Sequence, residues 1–172
     1  MTSRPPLPYD FLPKVPSFEL TSRDLTDGAT MPDAHVHALG NESPQLAWSG
    51  FPESTRGFAV TCYDPDAPTA SGWWHWLALD LPVGTTALAR GAGASDGGLP
   101  GGAFHVRNDF PGHRYDGAAP PPGPAHRYVF AVHALDVPTL GLTPDTPAAA
   151  VGFNITFHTV ARALLTVEYA AS

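Results

Sequence analysis

The chain has 172 residues, 43% apolar and only 15% charged, with a net charge of −7. That length suits one domain with one sizeable core, and that apolar content excludes wholesale disorder. An acidic chain gains no counterion-release energy from DNA or RNA, so nucleic acid is excluded as a general partner, while a local anion site built from a few side chains is not.

Cys62 is the one cysteine. A single thiol makes no internal disulfide and no thiolate zinc site. It falls in Phe58-Ala59-Val60-Thr61-Cys62-Tyr63, which reads as a strand, so a buried structural thiol is expected. Residues 1–14 read as an extended arm, and Met1 to Asp10 lacks the apolar run of a signal peptide. No stretch approaches the roughly 18 apolar residues that span a bilayer, so a cytoplasmic protein is expected.

Twenty Pro and seventeen Gly are spread along the chain and punctuate many short elements, the pattern of a β-rich domain with long loops. Strands are expected at Phe18–Thr21, Ala34–Ala38 and Gln45–Trp48. Gly57–Tyr63 and Trp73–Leu81 are richer in apolar and aromatic residues and read as central strands buried on two faces. Arg90 to Gly102 is a Gly-rich loop without the Gly-Lys-Ser/Thr ending of a phosphate loop. Ala103–Arg107 reads as a strand, Asn108–Pro124 as an irregular Pro/Gly loop, and His126–Leu135 as a strong strand. From Pro147 the period changes. Phe153, Phe157, Val160 and Leu164 recur at helical spacing, with Thr146 as N-cap and Pro147 at the first helical position. Leu165, Val167 and Tyr169 alternate as a terminal strand. The expected fold is one mainly antiparallel β domain over 1–172 with a late helix.

Three segments carry candidate chemistry. Asp64-Pro65-Asp66-Ala67-Pro68 follows a strand and fixes two carboxylates on a rigid turn. In Trp73-Trp74-His75-Trp76, alternation places Trp73 and His75 on one sheet face and Trp74 and Trp76 on the other. His126-Arg127-Tyr128 opens a strong strand, with His126 and Tyr128 sharing a face. Each alone reads as an ordinary turn or strand end. Together they bring a carboxylate, two imidazoles, an indole and a phenol to strand ends, where loops meet and pockets form. A carboxylate beside an imidazole favours the imidazolium, which binds phosphate.

The run Tyr63-Asp64-Pro65-Asp66-Ala67-Pro68, then Trp73 and His75, then Pro120-Pro121 with His126-Arg127-Tyr128, resembles the phosphatidylethanolamine-binding (Raf-kinase-inhibitor-like) family, its bacterial branch above all. Ser43 to Trp48, Asn108-Asp109, Gly152-Phe153 and Phe157-His158 support the resemblance, which covers about Leu12 to Tyr169. It implies a large central antiparallel sheet, a smaller second sheet and peripheral helices. It implies that Asp64, Trp73, His75, Pro120, His126 and Tyr128 line a small cavity for phosphate-like anions and phospholipid head groups, with a cis proline at Pro68. It also implies a homodimer, a possible kinase or peptidase target, and a site left more open by the lack of the C-terminal helix found in animal members. Asp116-Gly117-Ala118-Ala119 departs from the bacterial pattern before the Pro run, and His113-Arg114-Tyr115 repeats the later motif by coincidence or places Arg114 at the pocket mouth.

The leading reading is a binding protein for small anions, without cofactor or catalytic metal. A hydrolase built on Asp64, His75 and His126 is the enzymatic alternative, weakened by the lack of a nucleophile with a convincing partner. An oligomer-forming protein with a vestigial pocket is the third. His35-x-His37 has metal-like spacing but reads as a surface strand pair.

Overall fold

The computed structural model describes residues 4–172. Among these residues, eight strands form two antiparallel sheets. The smaller holds β1 (Glu19–Thr21), β2 (Leu46–Ser49) and β5 (Ala87–Leu88) in the order β1-β2-β5. The larger holds β3 (Gly57–Asp64), β4 (Trp73–Pro82), β6 (Phe104–His105), β7 (His126–Leu135) and β8 (Thr159–Tyr169) in the order β6-β4-β3-β7-β8. The predicted antiparallel β fold with a large and a small sheet is what the chain adopts.

β3 lies between β4 and β7 and is buried along its whole length, which is why its sequence is apolar without alternation. One face of the large sheet presents Phe58, Val60 and Cys62 beside Tyr128, Phe130 and Val132, and packs against Leu46, Trp48 and Leu88 of the small sheet. The other face presents Ala59, Leu77, Leu79 and Leu135 beneath α2 (Ala148–His158), which buries Val151 and Ile155. Cys62 is buried as expected, and burial pushes its thiol pKa well up, away from the reactive thiolate.

Several local expectations are corrected. Of the arm at 1–14, residues 1–3 lie outside the described residues, and Pro8–Phe11 form a short helix, α1, in place of extended chain. Ala34–Ala38 is not a strand: Asp33–His35 form a 3-10 turn, closed by Val36 N–H donating to Asp33 O at 3.2 Å. Thr146 does not cap α2. Its hydroxyl accepts from Thr143 N–H at 3.0 Å, closing the turn before the helix, and Pro147 is the N-cap. The Phe153/Phe157 stripe faces outward, 71% and 77% exposed, and Val160 and Leu164 belong to β8. The helix ends at His158, where the backbone turns to extended geometry, so that period joins two different elements.

β4 holds a bulge that matters for the site. Trp74 pairs with Tyr63 and Trp76 with Cys62, leaving His75 as the extra residue. The bulge breaks the alternation assumed from the sequence. Trp74 packs toward the α2 side, whereas Trp76 enters the core between the sheets, so the two do not share a face.

Candidate functional site

The rows that build the inter-sheet core end in polar residues. Asp64 continues the row of Phe58, Val60 and Cys62, and His126 begins the row of Tyr128, Phe130 and Val132. Both reach the same edge of the core. The two side chains are buried and meet there, His126 Nδ1 lying 2.8 Å from Asp64 Oδ2. Asp64 Oδ1 accepts a hydrogen bond from Asp66 N–H at 2.7 Å, which fixes the carboxylate plane. Burial raises the Asp64 pKa above the ordinary carboxylate value, against the opposing pull of His126.

His75 enters from the β4 bulge. Its Nδ1 lies 2.8 Å from the backbone carbonyl oxygen of Asp116, and a carbonyl only accepts, so Nδ1 carries the proton. In the neutral ring Nε2 is then a lone-pair acceptor. Burial lowers the His75 pKa to about 4, outweighing the neighbouring carbonyls that act to raise it. The expectation of a carboxylate-paired imidazole therefore holds for His126 alone, and His75 stands neutral at pH 7.

These residues line a cavity of about 190 Å³ together with Ala67, Pro68, Thr69, Trp73, Phe110, Ala119, Pro120 and Pro121. Five of the six candidate residues, Asp64, Trp73, His75, Pro120 and His126, are brought together. Tyr128 is not part of the lining. It is fully buried beneath, its ring edge against His75 with centroids 5.1 Å apart. Burial pushes its hydroxyl pKa far up, so it is a neutral support. Trp73 Nε1 is buried with no hydrogen-bond partner among the described residues.

The Asp-Pro-Asp-Ala-Pro turn is held differently from expectation. No peptide bond among the described residues is cis, so Ala67–Pro68 is trans. The turn closes without it: Thr69 N–H donates to Ala67 O at 2.7 Å, and Thr69 Oγ1 donates to Gly72 O at 2.6 Å. Asp66 anchors the turn to β7 by accepting from Arg127 N–H, Nε and Nη2, each at 2.8 Å. Burial acts to raise the Asp66 pKa, but the hydrogen bonds and charge of Arg127 together hold it below the usual carboxylate value.

Sequence reasoning placed a loop at Asn108–Pro124 but missed Phe110 as part of the opposite wall. Asn108 organises the loop. Its Oδ1 accepts from Phe110 N–H and Gly112 N–H, and its Nδ2 donates to Asp116 Oδ2 at 2.8 Å and Arg114 O at 2.9 Å. That network presents Phe110 to the cavity and aims the Asp116 carbonyl at His75. An Asn followed by aromatic, Pro and Gly residues was the available signal for a turn of this kind. Arg114 is not in the lining; it sits 3.4 Å from Asp116, and Tyr115 is a core residue donating to His35 O at 2.7 Å. His35 is buried against Glu42 O and His37 stacks on Phe110, so the pair is not a strand pair. Among the described residues, no group of three or more His, Cys, Asp or Glu is placed to hold a metal ion.

The family model for phosphatidylethanolamine-binding proteins matches residues 21–170. The chain belongs to the phosphatidylethanolamine-binding protein family. It is 47% identical over 156 residues to the UPF0098 protein YbhB of Escherichia coli, covering 88% of this chain and 99% of that one. It is 41% identical over 166 residues to YbcL of the same organism, covering 92% and 91% of the two chains. The crystal structure of E. coli YbcL, described as a new member of the mammalian family, superposes with a TM-score of 0.88, covering 91% of this chain and 99% of that one. A Chlamydia trachomatis homologue, 25% identical, gives 0.76 over 91% and 99% of the two chains. In this family member, no helix among the described residues is long and apolar enough to cross a membrane.

Proposed function

We propose that the cavity binds a phosphate monoester head group, of which phosphoethanolamine is the model, and releases it unchanged. The observation that carries this reading is the pair of imidazoles with opposite hydrogen-bonding duties at one small cavity. His126, whose Nδ1 is held by Asp64 Oδ2 at 2.8 Å, offers Nε2–H to an anion. His75, with Nδ1 committed to the Asp116 carbonyl, offers Nε2 as an acceptor. A phosphate monoester carrying one proton satisfies both, with P–O⁻ toward His126 and P–OH toward His75. Trp73 adds an aromatic side chain to the same wall. About 190 Å³ accommodates a head group and leaves an acyl chain outside.

The wall chemistry favours binding over turnover. The hydroxyl in the lining, Thr69 Oγ1, is spent on Gly72 O, and no imidazole is paired with it. A kinase or peptidase carrying a phosphorylated side chain would be recognised by the same chemistry, the route by which this protein would regulate one. A cytoplasmic setting suits its single buried thiol.

Titration calorimetry with phosphoethanolamine tests the reading. Binding in the micromolar to millimolar range is expected, weakened by about 1–3 kcal/mol in each of His126→Ala and His75→Ala. Equal affinity in all three proteins would place the ligand elsewhere.

A further inference from the structure

On the opposite face of the large sheet lies a second cavity, about 610 Å³, between α1, α2 and the β7–β8 strands. Its walls are apolar: Pro8, Leu12, Trp74, Ile155, Phe153 and Phe157 all contribute. The two Phe rings stack on each other on the exposed face of α2, with centroids 6.4 Å apart. These are the residues that recur at helical spacing in the sequence.

The floor of this groove holds a cation. Arg162 is only 7% exposed and pairs across the strands with His133. Its Nε donates to His133 Nδ1 at 3.2 Å, and His133 Nε2 in turn donates to Thr61 Oγ1 at 2.9 Å. The guanidinium carbon lies 4.4 Å from the centre of the Tyr9 ring. No carboxylate pairs with Arg162, none lines the groove, and its Nη groups find no protein acceptor among the described residues. The Nη groups are not among the fully buried unpartnered atoms, so they stay open to an incoming anion while the rest of the side chain is covered. The guanidinium geometry suits a planar carboxylate, which accepts two parallel N–H donors.

We propose that this groove is a binding site for an amphipathic organic carboxylate, whose anionic head meets Arg162 and whose hydrocarbon body lies along Trp74, Ile155, Phe153 and Phe157. The volume is that of a small-molecule pocket. The site is separate from the His75/His126 cavity and does not depend on what that cavity binds.

Decanoate is the probe, with decanol as the uncharged control and acetate as the headgroup alone. Calorimetry on the full chain, with Trp fluorescence as a second readout, should give decanoate a dissociation constant on the order of 10 μM. Decanol and acetate should each bind at least about tenfold more weakly, since each lacks one half of the recognition. Arg162→Gln removes the charge but also disturbs the His133 contact, so a second variant is needed. Gly152→Leu fills the groove from α2. A Cβ at Gly152 meets nothing nearer than Trp74 at 3.9 Å, and replacing a mid-helix Gly favours the helix. It should keep the native circular dichroism and thermal midpoint while reducing decanoate affinity about tenfold or more. His126→Ala should leave decanoate binding unchanged. Decanol binding as tightly as decanoate, or decanoate binding unaffected by Gly152→Leu, would overturn the proposal. So would a stable dimer that buries Phe153 and Phe157 and admits no decanoate, which would assign this face to a second copy of the chain.

Discussion

His75 Nδ1–H donates to the backbone carbonyl of Asp116 across 2.8 Å, and that carbonyl lies on a loop 41 residues away in the chain. That bond fixes the tautomer of His75. It makes the residue an acceptor toward the cavity, where a carboxylate-paired imidazole would be a donor. The pH behaviour of the site follows from it.

Ligand binding should take up a proton. At pH 7 a free phosphate monoester, with a second pKa of about 6, is mostly dianionic. The site needs a proton between the ligand and His75 Nε2, whichever atom holds it. Affinity should therefore fall by up to about tenfold per pH unit above roughly pH 6.5, where neither ligand nor ring carries that proton in the free state. Calorimetry in two buffers of different ionisation enthalpy reads the proton count directly. An enthalpy independent of buffer at pH 7.5 would contradict this arrangement.

Acid should destabilise the fold in a window set by the same residue. The His75 pKa falls from 6.5 in the unfolded chain to about 4 in the folded one. Between those values the unfolded state binds the extra proton, so stability is full above about pH 6.5 and declines as pH falls toward 4. His105 and His133, also held low by burial, act in the same direction. Urea denaturation at pH 7.5, 6 and 5 should show a falling midpoint, and His75→Gln should flatten part of that slope.

The Asp66–Arg127 anchor should matter more than an exposed ion pair. Asp66 accepts three hydrogen bonds from one residue, and both side chains are largely covered. Asp66→Ala should cost about 1–3 kcal/mol and loosen the Asp64 turn, weakening ligand binding as well. Because the folded-state pKa of Asp66 is lowered, its contribution is present above about pH 4 and is lost as pH falls through the folded value. Chemical denaturation of the variant and wild type at pH 7 and pH 3 checks both parts; the gap between them should shrink at pH 3.

Gly72 should tolerate no side chain. It has φ of +66°, and a Cβ there would stand 2.1 Å from the Tyr63 hydroxyl oxygen. That hydroxyl donates to Ser71 O at 3.0 Å and holds the approach to Trp73. Gly72→Ala should cost about 2 kcal/mol or more, from left-handed backbone and displaced Tyr63 together. A thermal midpoint within a degree of wild type would contradict the turn geometry.

The sequence made the sheet legible where burial dictated composition. β3 and β7 are apolar on both faces and their bounds follow the residues closely, because a central strand has no polar side to blur. It failed where a period crossed from one element into another. Phe153, Phe157, Val160 and Leu164 keep helical spacing, yet the first two are exposed and the last two lie in β8. At the site, Asp64 and His126 were legible because strand alternation sends both to the same end of one core face. The bulge at His75 was not, since it depends on how β3 and β4 pair. The Asp116 carbonyl was invisible in principle, because a backbone atom leaves no residue-type signature. Its support, Asn108, carried a weak turn signal only.

The most direct test of the phosphate site is a long-range ¹H–¹⁵N correlation of the imidazole nitrogens during a phosphoethanolamine titration. In the free protein at pH 7, His75 should appear as the Nδ1–H tautomer and should not titrate until well below pH 6. With ligand, the ring resonances of His75 and His126 should shift together and saturably, His75 with its Nε2 resonance moved toward the protonated position. Saturating ligand that leaves both sets of ring resonances in place would contradict the account.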